Sequence, residues 1–301
     1  MKRGYVMTAA LLIVIGIVLF GIAFAASGFD FSKADGAKYV NRTYTAEGSF
    51  TAIDIQEGTA DIWFMPSENG EMRVECTEHE ETSHEVCVEN GTLKIIFKDE
   101  RPWYKRMTLF SFRHGNVTVY LPLESYETLS VLATTGDVTV TWPFSFGDMR
   151  IKTTTGDIFA DGIKADSMSL TVTTGSVECK KLDCADKLYV HVTTGKISLT
   201  DVTGGEIKCE STTGRINLKN ALASGRLDIE TTTGSVLLED CDAAQIAVKT
   251  TTGSITGTLK SEKVFSAKTS TGKIDVPGTL SGGECTLKTT TGDISVKLSD
   301  Q

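Results

Sequence analysis

The segment Asp148-Met-Arg-Ile-Lys-Thr-Thr-Thr-Gly-Asp-Ile-Phe-Ala160 returns 19 residues later as Ser167-Met-Ser-Leu-Thr-Val-Thr-Thr-Gly-Ser-Val-Glu-Cys179. The same pattern recurs around Gly136, Gly156, Gly175, Gly195, Gly214, Gly234, Gly253, Gly272 and Gly292, at steps of 19 or 20 residues. A self-similar period of this length is the mark of a solenoid, in which one coil cannot bury its apolar side without its neighbours.

Columns appear when the repeats are aligned on the glycine. Two residues after it stand Val138, Ile158, Val177, Ile197, Ile216, Val236, Ile255, Ile274 and Ile294, all β-branched and apolar. Five before it come Val131, Ile151, Leu170, Val190, Cys209, Ile229, Val248, Ala267 and Leu287, and seven before it Leu129, Met149, Met168, Leu188, Ile207, Leu227, Ile246, Phe265 and Cys285. Alternation in twos on both sides of the glycine predicts two strands per coil, each with one face inward. The glycine supplies a positive φ at the corner between them. A second corner carries an extra apolar residue (Ile163, Leu182, Val202) and suggests a third short strand. The expected fold is an all-β parallel β-helix or β-solenoid with about 19–20 residues per coil, right-handed by the crossover rule.

The threonine before each glycine, from Thr135 to Thr291, shares the inward parity of the apolar columns, whereas the column from Thr134 to Thr290 is expected to face solvent. A surface ladder of threonines can meet an ordered ligand such as ice. A ladder one residue wide is better explained by the fit of β-branched residues to strands.

The chain of 301 residues begins with Met7–Ala26, twenty residues without a charge, preceded by Lys2 and Arg3. About 20 apolar residues cross a bilayer as a helix, and basic flanks stay in the cytoplasm. Residues 5–26 therefore read as a transmembrane signal anchor and 1–4 as a cytoplasmic tip. Beyond them the sequence divides into a linker (27–46), irregular β coils that cap the rod (47–128), and the regular solenoid (129–298). The rival for the first segment is a signal peptide cleaved after Ala23-Phe24-Ala25, whose apolar core would be shorter. Either reading exports the rest of the chain across the membrane. A net charge of −9 argues against nucleic-acid binding, which needs a basic face.

Ser49–Phe64 reads as a degenerate coil in which Ala60 takes the glycine's place, and Ile53, Ile55, Ile62 and Phe64 fill the apolar columns. The opposite end shows no cap, so the strand Ile294–Leu298 is expected to be exposed and to contact a partner or a second copy.

Val117-Thr-Val-Tyr-Leu-Pro122, Leu129-Ser-Val-Leu-Ala-Thr-Thr-Gly-Asp-Val138 and the recurring Leu-x-Ile-x-Thr-Thr-Gly-Asp-Ile pattern resemble the bacterial family named "putative adhesin" with β-strand repeats, over about residues 47–298. The resemblance implies a parallel β-solenoid on the cell envelope and brings no catalytic residues with it.

Three constellations invite a functional reading. Cys76-x-x-His79 and His84-x-x-Cys87 are symmetric, as in a zinc set or a hairpin. Along a strand Cys76 and His79 point to opposite faces, so all four cannot converge on one ion without a bulge, and no metal or cofactor is expected. A Cys76–Cys87 cross-strand disulfide stays open as an alternative. Seven cysteines leave at least one unpaired, and Cys179, Cys209 and Cys285 sit in apolar columns as small hydrophobes. Asp137 and Asp157 fall in one column of adjacent coils, a spacing that could suit glycoside hydrolysis but is also ordinary turn chemistry. The one basic and aromatic stretch spans 101–114. Its Arg101, Trp103, Tyr104, Lys105, Arg106, Phe110, Phe112 and Arg113 form a candidate surface for anionic lipid or cell-wall polymer, against the plainer reading of a loop folded onto the rod. No phosphate loop, nucleophile elbow or zinc-protease motif is present. The expectation is a non-catalytic, single-pass envelope protein with a protein or glycan partner. The alternatives are an accessory or sensing subunit of an envelope-stress type membrane complex and, less favoured, a polysaccharide-active enzyme.

Overall fold

The computed structural model describes residues 38–101 and 115–299, together with Gly16 and Val18. Among the described residues no helix is long and apolar enough to cross a membrane, and the span 5–26, apart from those two residues, lies outside them. The chain builds a β-solenoid of stacked parallel strands.

Each regular coil presents three inward runs. In the Gly156 coil these are Met149, Ile151 and Thr153, then Ile158 and Ala160, then Ile163 and Ala165, all buried. The first corner is the repeated glycine. All nine adopt φ between +131° and +158°. A Cβ on Gly195 would lie 1.8 Å from the carbonyl oxygen of Gly175, so the corner needs glycine for space as well as for φ. The second corner lies six residues later, at Gly162, Lys181, Asp201, Asn220 and Asp240, all with φ between 49° and 72°. Asp and Asn tolerate this left-handed conformation, so the position carries no invariant residue. The third corner is a bulge, where the pairing slips between Cys184 and Lys187 and between Ala223 and Arg226. That bulge absorbs the one-residue difference between coils of 19 and 20.

The threonines differ from expectation. Those immediately before the glycines are exposed, except for half-buried Thr135, because the chain has begun to turn and strand parity no longer applies. The inward position is three before the glycine, where Thr153, Ser211, Thr231 and Thr250 are buried. The Thr250 hydroxyl donates to the carbonyl of Gly234 at 3.0 Å, and Thr289 does the same to Gly253 at 2.9 Å, tying each strand to the corner of the coil before it.

Coil order departs from chain order at both ends. Near the N-terminus, Ala52–Glu57 pairs in parallel with Ser125–Thr135 on one side and with Thr92–Asp99 on the other. Ala60–Pro66 is likewise held between Val138–Thr141 and Gly115–Leu121. Ile53 lies opposite Leu129 and Ile62 opposite Val138, the same columns as in the repeats. The outermost parallel coil is then covered by antiparallel strands. Arg73–His79 lies on Gly115–Leu121, Thr82–Glu89 lies on Thr92–Asp99, and Tyr39–Tyr44 pairs with Arg73–His79.

At the other end the expected exposed strand, Ile294–Leu298, is internal. It lies between Ile255–Leu259 and Ile274–Asp275, and Ile294 and Val296 are 0 % and 1 % exposed. The Gly292 coil is inserted between the Gly253 and Gly272 coils, which makes Lys263–Lys268 and Ile274–Asp275 the true end of the rod. The insertion is permitted because every coil offers its neighbours the same columns.

Candidate functional site

In a β-strand, alternate residues face the interior, and in Arg73–His79 the inward set is Val74, Cys76 and Glu78. Two turn residues later the chain re-enters as Thr82–Glu89 and turns His84 inward. Facing them is Glu57, the last residue of Ala52–Glu57 and the one three before Ala60, so it occupies the column held elsewhere by buried threonines. Its register partner Ala133 is small and leaves the column room for a carboxylate.

These side chains form one buried polar cluster. His84 Nε2 lies 2.8 Å from Glu57 Oε2, and His84 Nδ1 lies 2.5 Å from Glu78 Oε2. The other oxygen of Glu57 accepts from the backbone N–H groups of Gly58 and Thr59. The other oxygen of Glu78 accepts from Arg42 and from the Tyr44 hydroxyl, each at 2.6 Å. Burial opposes the charge on His84, but its hydrogen bonds with Cys76 and Glu57 outweigh this and raise its pKa to about 10. Burial pushes the Cys76 thiol up. The imidazole of His84 thus lies between two glutamates, and the Arg42 guanidinium lies against the second of them. A buried charge left without its partner would be strongly destabilising.

The structure separates the cysteine–histidine pairs that the sequence sets symmetrically. Cys76 lies opposite Val117 and Arg42, while Cys87 lies opposite Lys94. No disulfide joins them, and all seven cysteines are free thiols. His79 turns away and accepts from the Glu81 backbone N–H. The group that does converge, Cys76 with Glu78 and His84, includes a glutamate that spacing alone did not mark. The available signal was a carboxylate at inward parity, in both Glu57 and Glu78.

The aspartate column proves to be structural. Asp61 Oδ1 accepts from the Asp137 backbone N–H at 2.8 Å, Asp137 from that of Asp157 at 2.7 Å, and Asp157 from that of Ser176 at 2.6 Å. Each carboxylate caps the corner of the next coil, which accounts for the Gly-Asp pairs.

The segment 102–114 lies outside the described residues; Arg101 is described and pairs with Asp99 at 2.9 Å. At the far end of the rod the apolar columns stop uncovered. Ile274 is 47 % exposed, Val264 43 % and Leu280 94 %, with Phe265, Ala267 and Val276 half-buried. Among the described residues, Lys263–Lys268 has a strand partner on one side only.

The family model described as Toastrack DUF4097 matches residues 50–297. No curated protein matches the chain. Similar solved structures include a "putative adhesin" from Bacteroides fragilis, 12% identical, with a TM-score of 0.40, covering 87% of this chain and 97% of that one. A "putative lipid binding protein" from Parabacteroides distasonis is 13% identical, with a TM-score of 0.36 and coverages of 88% and 98%. A "putative adhesin" from the same species is 12% identical, with a TM-score of 0.34 and coverages of 88% and 98%.

Proposed function

Since the chain belongs to the Toastrack DUF4097 family, we propose that it is a non-catalytic, membrane-anchored rod of the bacterial cell envelope that binds through its far end. In this reading residues 5–26 cross the membrane, the N-terminus is cytoplasmic and the solenoid is extracytoplasmic. The capped end of the rod follows the anchor in the chain, so the open end faces away from the membrane.

The observation that carries the reading is the contrast between the two ends. At the N-terminal end the edge of the last parallel coil is covered by antiparallel strands, and Leu93 and Ile95 beneath them are fully buried. At the other end the equivalent edge, Lys263–Lys268, has no second strand beside it among the described residues, although the Thr279 hydroxyl donates to the Lys263 carbonyl, and its core columns stay open. Natural proteins seldom leave such an edge without a partner. The partner that fits is a second copy of this chain, added antiparallel as the N-terminal cap already is. Pairing about a two-fold axis at Ser266 sets Phe265 of one copy against Ala267 of the other, a large side chain over a small one. Only one end is open, so association closes at a dimer and does not run on into a fibre.

The test is photo-crosslinking of the anchored protein in cells, with the reactive group placed at Ser266 or at Ser295. The reading predicts a dimer-sized adduct from Ser266 and none from Ser295. Absence of any adduct from Ser266 would contradict it.

A further inference from the structure

We propose that Cys76, Glu78 and His84 form a site for a thiolate-binding divalent cation of the zinc type within the N-terminal cap. The site is distinct from the rod's open end and does not depend on what binds there.

The donor atoms come first. Cys76 Sγ, a Glu78 carboxylate oxygen and a His84 ring nitrogen all lie within 4.8 Å of one another, on residues 1 %, 3 % and 6 % exposed. Thiolate, imidazole and carboxylate together are a donor set for zinc and its neighbours, and poor for magnesium or calcium.

The surroundings already hold these donors as a metal's outer ring would. Metal-bound histidines nearly always give their second nitrogen to a carboxylate, and ligating carboxylates are themselves hydrogen-bonded. Glu57 occupies Nε2 of His84, which leaves Nδ1 for the ion. Arg42 and Tyr44 occupy one oxygen of Glu78, which leaves the other. Glu78 Oε2 and His84 Nδ1 meet in a direct hydrogen bond at 2.5 Å, and the two need part by only about 1 Å for a cation bonded to each at about 2.0–2.1 Å to take its place.

A divalent ion binds the thiolate form of Cys76 and an unprotonated ring nitrogen of His84, so protons held on those atoms leave to water as the ion enters. Arg42 and Tyr44, which hold Glu78, also line a shallow surface depression together with Thr82, Ser83, Lys98 and Glu100.

The test uses the full-length chain in detergent, stripped by chelator and titrated with cobalt(II) and then zinc(II), each alone. The expected result is one equivalent of cobalt bound with a thiolate-to-cobalt charge-transfer band that zinc abolishes. Cys76→Ser should lose the band, and Cys87→Ser should keep it. Glu57→Gln should keep the band but bind about 10–100-fold more weakly, since Glu57 acts through His84. No charge-transfer band at one equivalent, a band that survives Cys76→Ser, or one that disappears with Cys87→Ser would each overturn the site.

Discussion

The backbone N–H of Gly253 donates to the carbonyl oxygen of Thr291 at 2.9 Å, across a gap of 38 residues. In the regular part of the rod the corresponding bond reaches one coil ahead, as from Gly234 to Thr252. Gly292 then donates back to Thr271, and Asp293 Oδ1 accepts from the Lys273 backbone N–H. The chain therefore lays down its end coil first and slips its last coil in beneath it. The end coil is held by connections at both of its own termini, so it cannot fray from a free chain end.

Insertion makes opposite demands on two residues of the same column. Ile294 is enclosed and Ile274 is half exposed. Ile294→Asp should destabilise the rod by about 4 kcal/mol or more, the consequence of burying an unpaired charge. Ile274→Asp should stay within about 1 kcal/mol. Urea unfolding of the two variants checks the difference, and equal effects would deny the insertion.

The glycine corner and the inward threonine are one device, because the hydroxyl of Thr250 binds the carbonyl of the Gly234 corner. Gly195→Ala meets a carbonyl at 1.8 Å and must shift the stack, with an expected loss of about 3 kcal/mol or more. Thr250→Val should cost only about 1 kcal/mol, since the shape is kept and one hydrogen bond is lost. Val172 and Val192 already occupy this column in other coils. Thermal or urea unfolding separates the two, and a Gly195→Ala variant as stable as the parent would refute the close stacking.

Lys263, buried in the end coil, reaches past the inserted coil to Asp242, with Nζ to Oδ1 at 2.7 Å. Burial raises the Asp242 pKa, but the hydrogen bonds from Lys263 and Ser261 together with the Lys263 charge outweigh it and hold the carboxyl below its usual 3.8. A depressed pKa adds stability that is present above the unfolded value and lost as pH falls through the folded one. The amides of residues 263–268 should therefore lose hydrogen-exchange protection selectively below about pH 3.8. In Asp242→Asn that protection should already be low and should change little with acid, after correction for intrinsic rates. The same acid response in both proteins would remove the pair from the account.

Much of this fold can be read from the chain because its columns are physically strict. Glycine holds the first corner of all nine regular repeats, β-branched apolar residues fill the position two later, and Ala60 keeps the same frame in a degenerate coil. The second corner was not legible, since Lys181, Asp201, Asn220 and Gly162 share a backbone conformation and no side-chain type. Coil order was not legible either. Ile274 and Ile294 satisfy the same column, so a periodic sequence does not say which coil neighbours which. The buried cluster unites Glu57, Glu78 and His84 from separate strands, and its trace in sequence is a charge at an inward position, visible only after the strands are placed.

The most direct test of the coil exchange, on which both the open edge and its proposed partner depend, is a pair of engineered disulfides. Thr256 lies opposite Ser295, and Ser295 lies opposite Asp275, so Thr256 and Asp275 are separated by the inserted strand. Cysteines on adjacent strands can bridge, and those two strands apart cannot. In a Cys87→Ser background, where the remaining native thiols are buried, mild oxidation should link Thr256→Cys to Ser295→Cys rapidly and leave Thr256→Cys with Asp275→Cys reduced. Bridging of the second pair and not the first would mean that the coils stack in chain order, and the account of the open end would fall.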